Sequence, residues 1–94
     1  MNKELIKIIK ATQNGIESAF CGEENEFCDL SIRDAVKLDL VMTGLLEKDW
    51  ALVFGLWFRF DKHIIEFVDN QIVAYLDEIV RKALIENEKN KNQQ

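Results

Sequence analysis

The eleven residues WALVFGLWFRF, Trp50 to Phe60, hold five aromatic rings and a single charge, Arg59. How this stretch is read decides the fold. As a strand it sets Leu52, Phe54, Leu56, Phe58 and Phe60 on one face against Val53, Gly55, Trp57 and Arg59, and its aromatic content suits a sheet. As a helix it spreads Trp50, Phe54, Trp57 and Phe58 over one side and Leu52, Leu56 and Phe60 over the other, with no polar face except around Arg59. A central strand needs neighbours, and no second stretch of the chain alternates convincingly, so a helix over 50–60 is expected. A helix apolar all round must be covered all round, and three short amphipathic helices barely achieve this in a domain of 94 residues. The remaining cover is expected from another protein chain, with Trp50, Phe54, Trp57, Phe58 and Arg59 as partner-binding residues. Arg59 is expected to stack on a ring, to pair with Asp61 or Glu66, or to anchor that partner.

Working towards the N-terminus, Asp49 is placed to cap this helix, Glu47 to Asp49 to form a short polar joint, and Gly44 to close a helix over 31–46. That helix starts at Ser31, whose hydroxyl oxygen suits an orphan amide while Asp34 favours the positive helix end. Its early turns are amphipathic through Ile32, Val36 and Leu40. The run LVMTGLL that follows is apolar on nearly every side, so burial should deepen towards its end.

Residues 21–30, CGEENEFCDL, read as an acidic loop. Glu23, Glu24 and Glu26 are its candidate partner-binding residues, a negative knob for a basic surface. It lacks the Asp-x-Asp-x-Asp-Gly order and the distal glutamate of a calcium loop. Cys21 and Cys28 alone, with His63 the only histidine, fall short of the four ligands zinc takes, and free thiols, buried or half-buried, are expected. Before the loop, a helix over 2–20 sets Leu5, Ile8, Ile9, Thr12, Ile16, Ala19 and Phe20 on one side and Lys3, Lys7, Lys10, Gln13 and Asn14 on the other. Gly15 inside it marks a bend or a close contact.

Towards the C-terminus, Ile64, Ile65, Val68, Ile72, Tyr75, Leu76, Ile79, Val80, Ala83 and Leu84 recur at helical spacing, which predicts one long helix over 61–89 and a polar tail over 90–94. At 1.5 Å per residue such a helix spans roughly 40 Å, more than a compact domain of this size is wide, so one end must project or pair with its copy. Ile65, Val68, Ile72, Tyr75 and Ile79 have the spacing of a short dimer seam, and equally that of an ordinary core face.

Proline is absent, which leaves glycine and capping residues as the only punctuation. The fold class expected is all-α: one domain over 1–94, a small bundle of three or four helices with a long C-terminal helix. The formal charge of −5 opposes sequence-independent binding to nucleic acid or anionic lipid. With no 18-residue apolar run and lysines breaking the opening MNKELIKIIKATQNG, a cytoplasmic protein without a membrane partner is expected.

Motifs for chemistry are sparse: no phosphate loop, no His-Glu-x-x-His, no Cys-x-x-Cys and no serine elbow. Glu66 with Asp69, and Asp77 beside Glu78, read as solvated helix surface. His63 reads as a boundary histidine bonded to a neighbour. No cofactor, metal or catalytic residue is expected. The leading functional expectation is an acidic interaction module, a dimeric adaptor or inhibitor of a larger protein complex, with a composition compatible with a phage or other mobile element. The alternative is a transcriptional regulator with a helix-turn-helix-like segment at 31–60, although its second helix lacks the polar side chains that read bases. An enzyme ranks third.

Overall fold

Helix α1, Lys3–Phe20, opens on a cap in which the Asn2 side-chain oxygen accepts the Leu5 N–H at 2.7 Å. Leu5, Ile9, Thr12 and Ile16 are its buried residues and recur every three or four positions. Thr12 donates its hydroxyl to the Ile8 carbonyl at 2.9 Å, so its burial leaves no polar group unsatisfied.

The chain here is a computed structural model that describes residues 1–92. It forms an all-α bundle, without strands among the described residues. The segment 21–30 departs from a simple solvated loop: a 3-10 turn, Glu26–Asp29, drives Phe27 into the core while Glu23, Glu24 and Glu26 stay exposed. Asn25 fastens the turn twice. Its side-chain oxygen accepts the Phe27 N–H at 2.9 Å, and its amide donates to the Gly15 carbonyl at 2.8 Å. Gly15 marks a close contact, since a β-carbon there would lie 2.6 Å from the Phe27 ring. Cys21 and Cys28 are free thiols but exposed, not buried or half-buried, because α1 ends at Phe20 and both fall outside its buried face. Cys28 donates its thiol to the Glu23 carbonyl at 3.1 Å.

Helix α2, Ile32–Glu47, begins at Ser31, whose hydroxyl oxygen accepts the Asp34 N–H at 3.1 Å. Its core residues are Ala35, Leu38, Val41, Met42, Gly44 and Leu45. The face read from the sequence, Ile32, Val36 and Leu40, points to solvent instead. The reason is width. Leu38, Val41, Met42 and Leu45 form the broader apolar surface, α2 must bury it against both α1 and α3, and that rotation turns the narrower stripe outward. Gln13 on α1 donates to the Thr43 hydroxyl at 2.9 Å and ties the two helices together.

Gly44 does not end α2. The helix runs to Glu47 and is closed by Lys48 in the left-handed conformation, φ 57° and ψ 34°, after which the Asp49 N–H returns to the Gly44 carbonyl at 2.9 Å. What Gly44 provides is space, because a β-carbon would stand 2.7 Å from Val53 Cγ2 of the next helix. Helix α3, Trp50–Trp57, is capped as expected by Asp49, whose carboxylate accepts the Leu52 N–H at 3.2 Å. It stops short of residue 60. The Phe60 N–H bonds back to the Trp57 carbonyl at 3.3 Å, and the Phe60 ring meets Trp57 edge-on with centroids 5.7 Å apart.

The long helix expected over 61–89 is two helices, α4 at Lys62–Ile65 and α5 at Asn70–Asn92. Between them the Phe67 and Val68 N–H groups bond three residues back, to Ile64 and Ile65. The Asp69 carboxylate then accepts the Gln71 N–H at 2.8 Å and caps a fresh helix, a local bond that competes with continuation. Of the tail expected over 90–94, residues 90–92 continue α5, with neither glycine nor proline to stop it, and residues 93–94 lie outside the described residues.

Helix α2 sits centrally, packed on α1 and α3, and α1 also meets α5. Ile9, Leu38, Val41, Met42, Leu45, Val53, Ile72 and Leu76 are fully enclosed. The molecule measures 54 × 27 × 19 Å, with a radius of gyration of 14.7 Å. A compact chain of this length would have about 12 Å. The difference reflects α5, whose residues from Arg81 through Lys89 are all exposed. Among the described residues no helix is long and apolar enough to cross a membrane.

Two glycines in adjacent helices respond in opposite senses to a methyl group. Gly44→Ala forces the enclosed Val53 to move and should cost about 1–3 kcal/mol. Gly55, in α3, has no atom within 4 Å of its β-carbon position and no left-handed φ, so Gly55→Ala should gain up to about 1 kcal/mol. Thermal melts followed by circular dichroism should show the first variant melting several degrees below wild type and the second above it.

Candidate interaction surfaces

Helix α3 finds much of its cover within its own chain. Val53 and Trp57 are buried, while Trp50, Leu52, Phe54 and Leu56 are half-buried. Its wet side is made by Ala51 and Gly55, the two smallest residues of the segment, so exposing it leaves little apolar surface in water. Trp57 is therefore core and not a partner anchor, because it packs inward against Phe60. Trp50, Phe54 and Phe58 form a ladder of rings with centroids 6.4 and 6.2 Å apart, and it ends at Phe58, which is 66% exposed. Arg59 is exposed and, among the described residues, forms no ion pair with Asp61 or Glu66.

The ladder borders the outer part of α5. Phe54, Phe58, Val80, Ala83, Leu84 and Asn87 line one groove of roughly 270 Å³. Trp50, Phe54, Ile79, Lys82, Ala83 and Glu86 line a second of roughly 260 Å³. Leu84 is 60% exposed and Ile85 is exposed beside it. The stripe Ile65, Val68, Ile72, Tyr75 and Ile79 is not a free dimer seam. Val68 and Ile72 belong to the chain's own core, and Ile65, Tyr75 and Ile79 are half-buried against it.

A further apolar surface was not apparent from the sequence. Ile32, Val36 and Leu40, spaced by four, run along the outer face of α2, and Phe20 from the end of α1 is exposed as well. A groove of roughly 170 Å³ lies between these helices, lined in part by Phe20, Phe27, Leu30 and Ile32. The segment joining Phe20 to Ile32 carries Glu23, Glu24, Glu26 and Asp29, all exposed, so an acidic edge adjoins the apolar stripe. The signal was present as two competing apolar faces on one helix, whose ranking depends on what α1 and α3 present to them.

Glu66 and Asp69 border an open depression of roughly 510 Å³ together with Glu26, Thr12 and Phe27. Two of these groups are already engaged, the Thr12 hydroxyl by Ile8 and the Asp69 carboxylate by Gln71. Among the described residues no group of three or more histidine, cysteine or acidic side chains is arranged to hold a metal ion. His63 places Nε2 3.6 Å from the Asp34 carboxylate of α2, and Glu78 pairs with Lys82 at 3.1 Å. Compared with protein-family models, with curated proteins and with solved structures, the chain matches none.

Side chains that only meet water contribute little to folding, which separates the outer face of α2 from its inner one. The double variant Ile32→Ser with Val36→Ser should cost no more than about 1 kcal/mol, at up to about 0.5 kcal/mol for each surface substitution. Leu38→Ala on the same helix removes a fully enclosed side chain and should cost about 2–5 kcal/mol. Urea titrations of the two proteins would reveal the contrast as a large difference in midpoint.

Proposed function

We propose that the chain is a protein–protein interaction module of the cytoplasm, a dimeric adaptor or inhibitor that docks on a larger protein through the outer face of α2. The observation that carries this reading is the exposure of Ile32 at 74%, in line with Val36 and Leu40 and near Phe20 at 51%. Contiguous exposed apolar surface rimmed by charge is how docking sites present themselves on soluble domains. The acidic edge at Glu23, Glu24, Glu26 and Asp29 fits a partner with an apolar centre and a basic rim, and would speed encounter more than it tightens binding. The nucleic-acid alternative has less support. The exposed positions of α3 are Ala51 and Gly55, which offer no side-chain donor or acceptor to a base edge.

The test compares three proteins as bait in the native host: wild type, Ile32→Ser/Val36→Ser, and Phe58→Ser as a control on a different surface. A specific partner should be retained by wild type and the control and lost from the α2 variant. Its association rate should fall at high salt and in Glu23→Lys/Glu24→Lys. A set of bound proteins that is the same for all three baits would end the proposal, and so would a binding rate indifferent to both salt and the loop charges.

A further inference from the structure

We infer that the partner of the outer face of α2 is a basic amphipathic helix, laid along the cleft between α1 and α2 with a lysine or arginine set in a notch between Glu17 and Asp39. The inference rests on the docking reading above and supplies the chemistry of its partner. The apolar half of the cleft is the groove of roughly 170 Å³ at Phe20 and Ile32. Its acidic half is a larger groove of roughly 330 Å³, lined by Gln13, Glu17 and Phe20 of α1 and by Asp39 of α2. Phe20 lines both, so the two halves adjoin across one exposed ring.

Charge complementarity selects the occupant. Glu17 is exposed and Asp39 half-buried, and neither forms an ion pair among the described residues. Glu23, Glu24, Glu26 and Asp29 add exposed carboxylates in the segment that joins the two helices. At about 100° of rotation per residue, Asp39 falls on the α1 side of the stripe Ile32, Val36 and Leu40, while Arg33 and Lys37 fall on the other side. The negative flank is thus the one that meets α1, and there a lysine or arginine can lay its methylene stem along the Phe20 ring while its charged end reaches the carboxylates.

Main-chain chemistry selects the partner's conformation. The cleft has no strand edge among the described residues, and the last carbonyls of α1 are already taken: Glu17 accepts the Cys21 N–H, Ser18 the Glu23 N–H and Ala19 the Gly22 N–H. An extended segment would bury main-chain groups without partners, whereas a helix arrives with its own satisfied. Side chains three or four residues apart on such a helix stand about 5–6 Å from each other, so a single turn carries an apolar anchor for the groove at Ile32 and a basic residue for the adjoining notch.

The experiment titrates the full chain, kept reduced, into a fluorescently labelled helical peptide of about 18 residues with leucines along one face and lysines beside them. Wild type should bind at micromolar concentration. Glu17→Lys/Asp39→Lys should weaken binding at least tenfold, and Ile32→Ser/Val36→Ser likewise, whereas Asp77→Lys/Glu88→Lys, which changes the net charge equally on another surface, should have a far smaller effect. A peptide with glutamates in place of the lysines, and one broken by a central proline, should each bind at least tenfold more weakly. No binding at about 100 μM would overturn the inference, as would equal weakening by the two charge variants or equal affinity for the proline-broken peptide. A second copy is the occupant, and the inference falls, if light scattering without peptide gives a dimer that Ile32→Ser/Val36→Ser abolishes. Capture of a host protein that is lost in Ile32→Ser/Val36→Ser yet survives Glu17→Lys/Asp39→Lys leaves the docking face standing and removes the notch.

Discussion

The approach of α2 to α3 at Gly44 and Val53 constrains everything around it. Without a side chain at residue 44 the two helices close to a distance at which a β-carbon would overlap Val53 Cγ2. The hairpin between them is correspondingly tight, with Lys48 in a left-handed turn and Asp49 serving both as the end of one helix and the cap of the next. Once α3 is held there, α2 has to direct Val41, Met42 and Leu45 inward, and its orientation is settled. Ile32, Val36 and Leu40 are on the outside because the other face has the stronger claim on the inside.

This explains which features could be read from the residues and which could not. Capping is short-range chemistry, so Ser31 and Asp49 announced their helices correctly. The apolar run after Asp39 likewise implied the deep burial at Val41, Met42 and Leu45. Asp69 was harder. A carboxylate on a helix surface and one that starts a helix look alike in sequence, and only the bond to Gln71 distinguishes them. The ring-laden segment 50–60 was correctly read as helical in its first eight residues, but Ala51 and Gly55 give that helix a wet side the apolar pattern did not suggest, and Phe58 is exposed just beyond its end. Trp57 and Phe58 are adjacent, and periodicity did not separate the one that enters the core from the one that leaves it.

The two exposed apolar surfaces have different characters. The one on α2 is built on a helix whose inner face is wholly enclosed, so it is a rigid platform bordered by negative charge. The one on α5 lies where the helix outruns the core and is met only by the ring ladder of α3, with charges of both signs along the axis. A platform of the first kind suits a dissimilar partner with complementary charge.

The packing order also shapes how the chain reaches this structure. Helix α1 meets α2, and α2 meets α3, so most burial joins segments adjacent in the chain and needs little loop-closure entropy. Proteins built from such local contacts fold in microseconds to milliseconds. The contact between α1 and α5 is of longer range, linking the first and last helices, and carries the larger loop-closure cost. A nascent chain would therefore acquire the α1–α3 platform before α5 emerges, with Ile72 and Leu76 arriving last to seal the core.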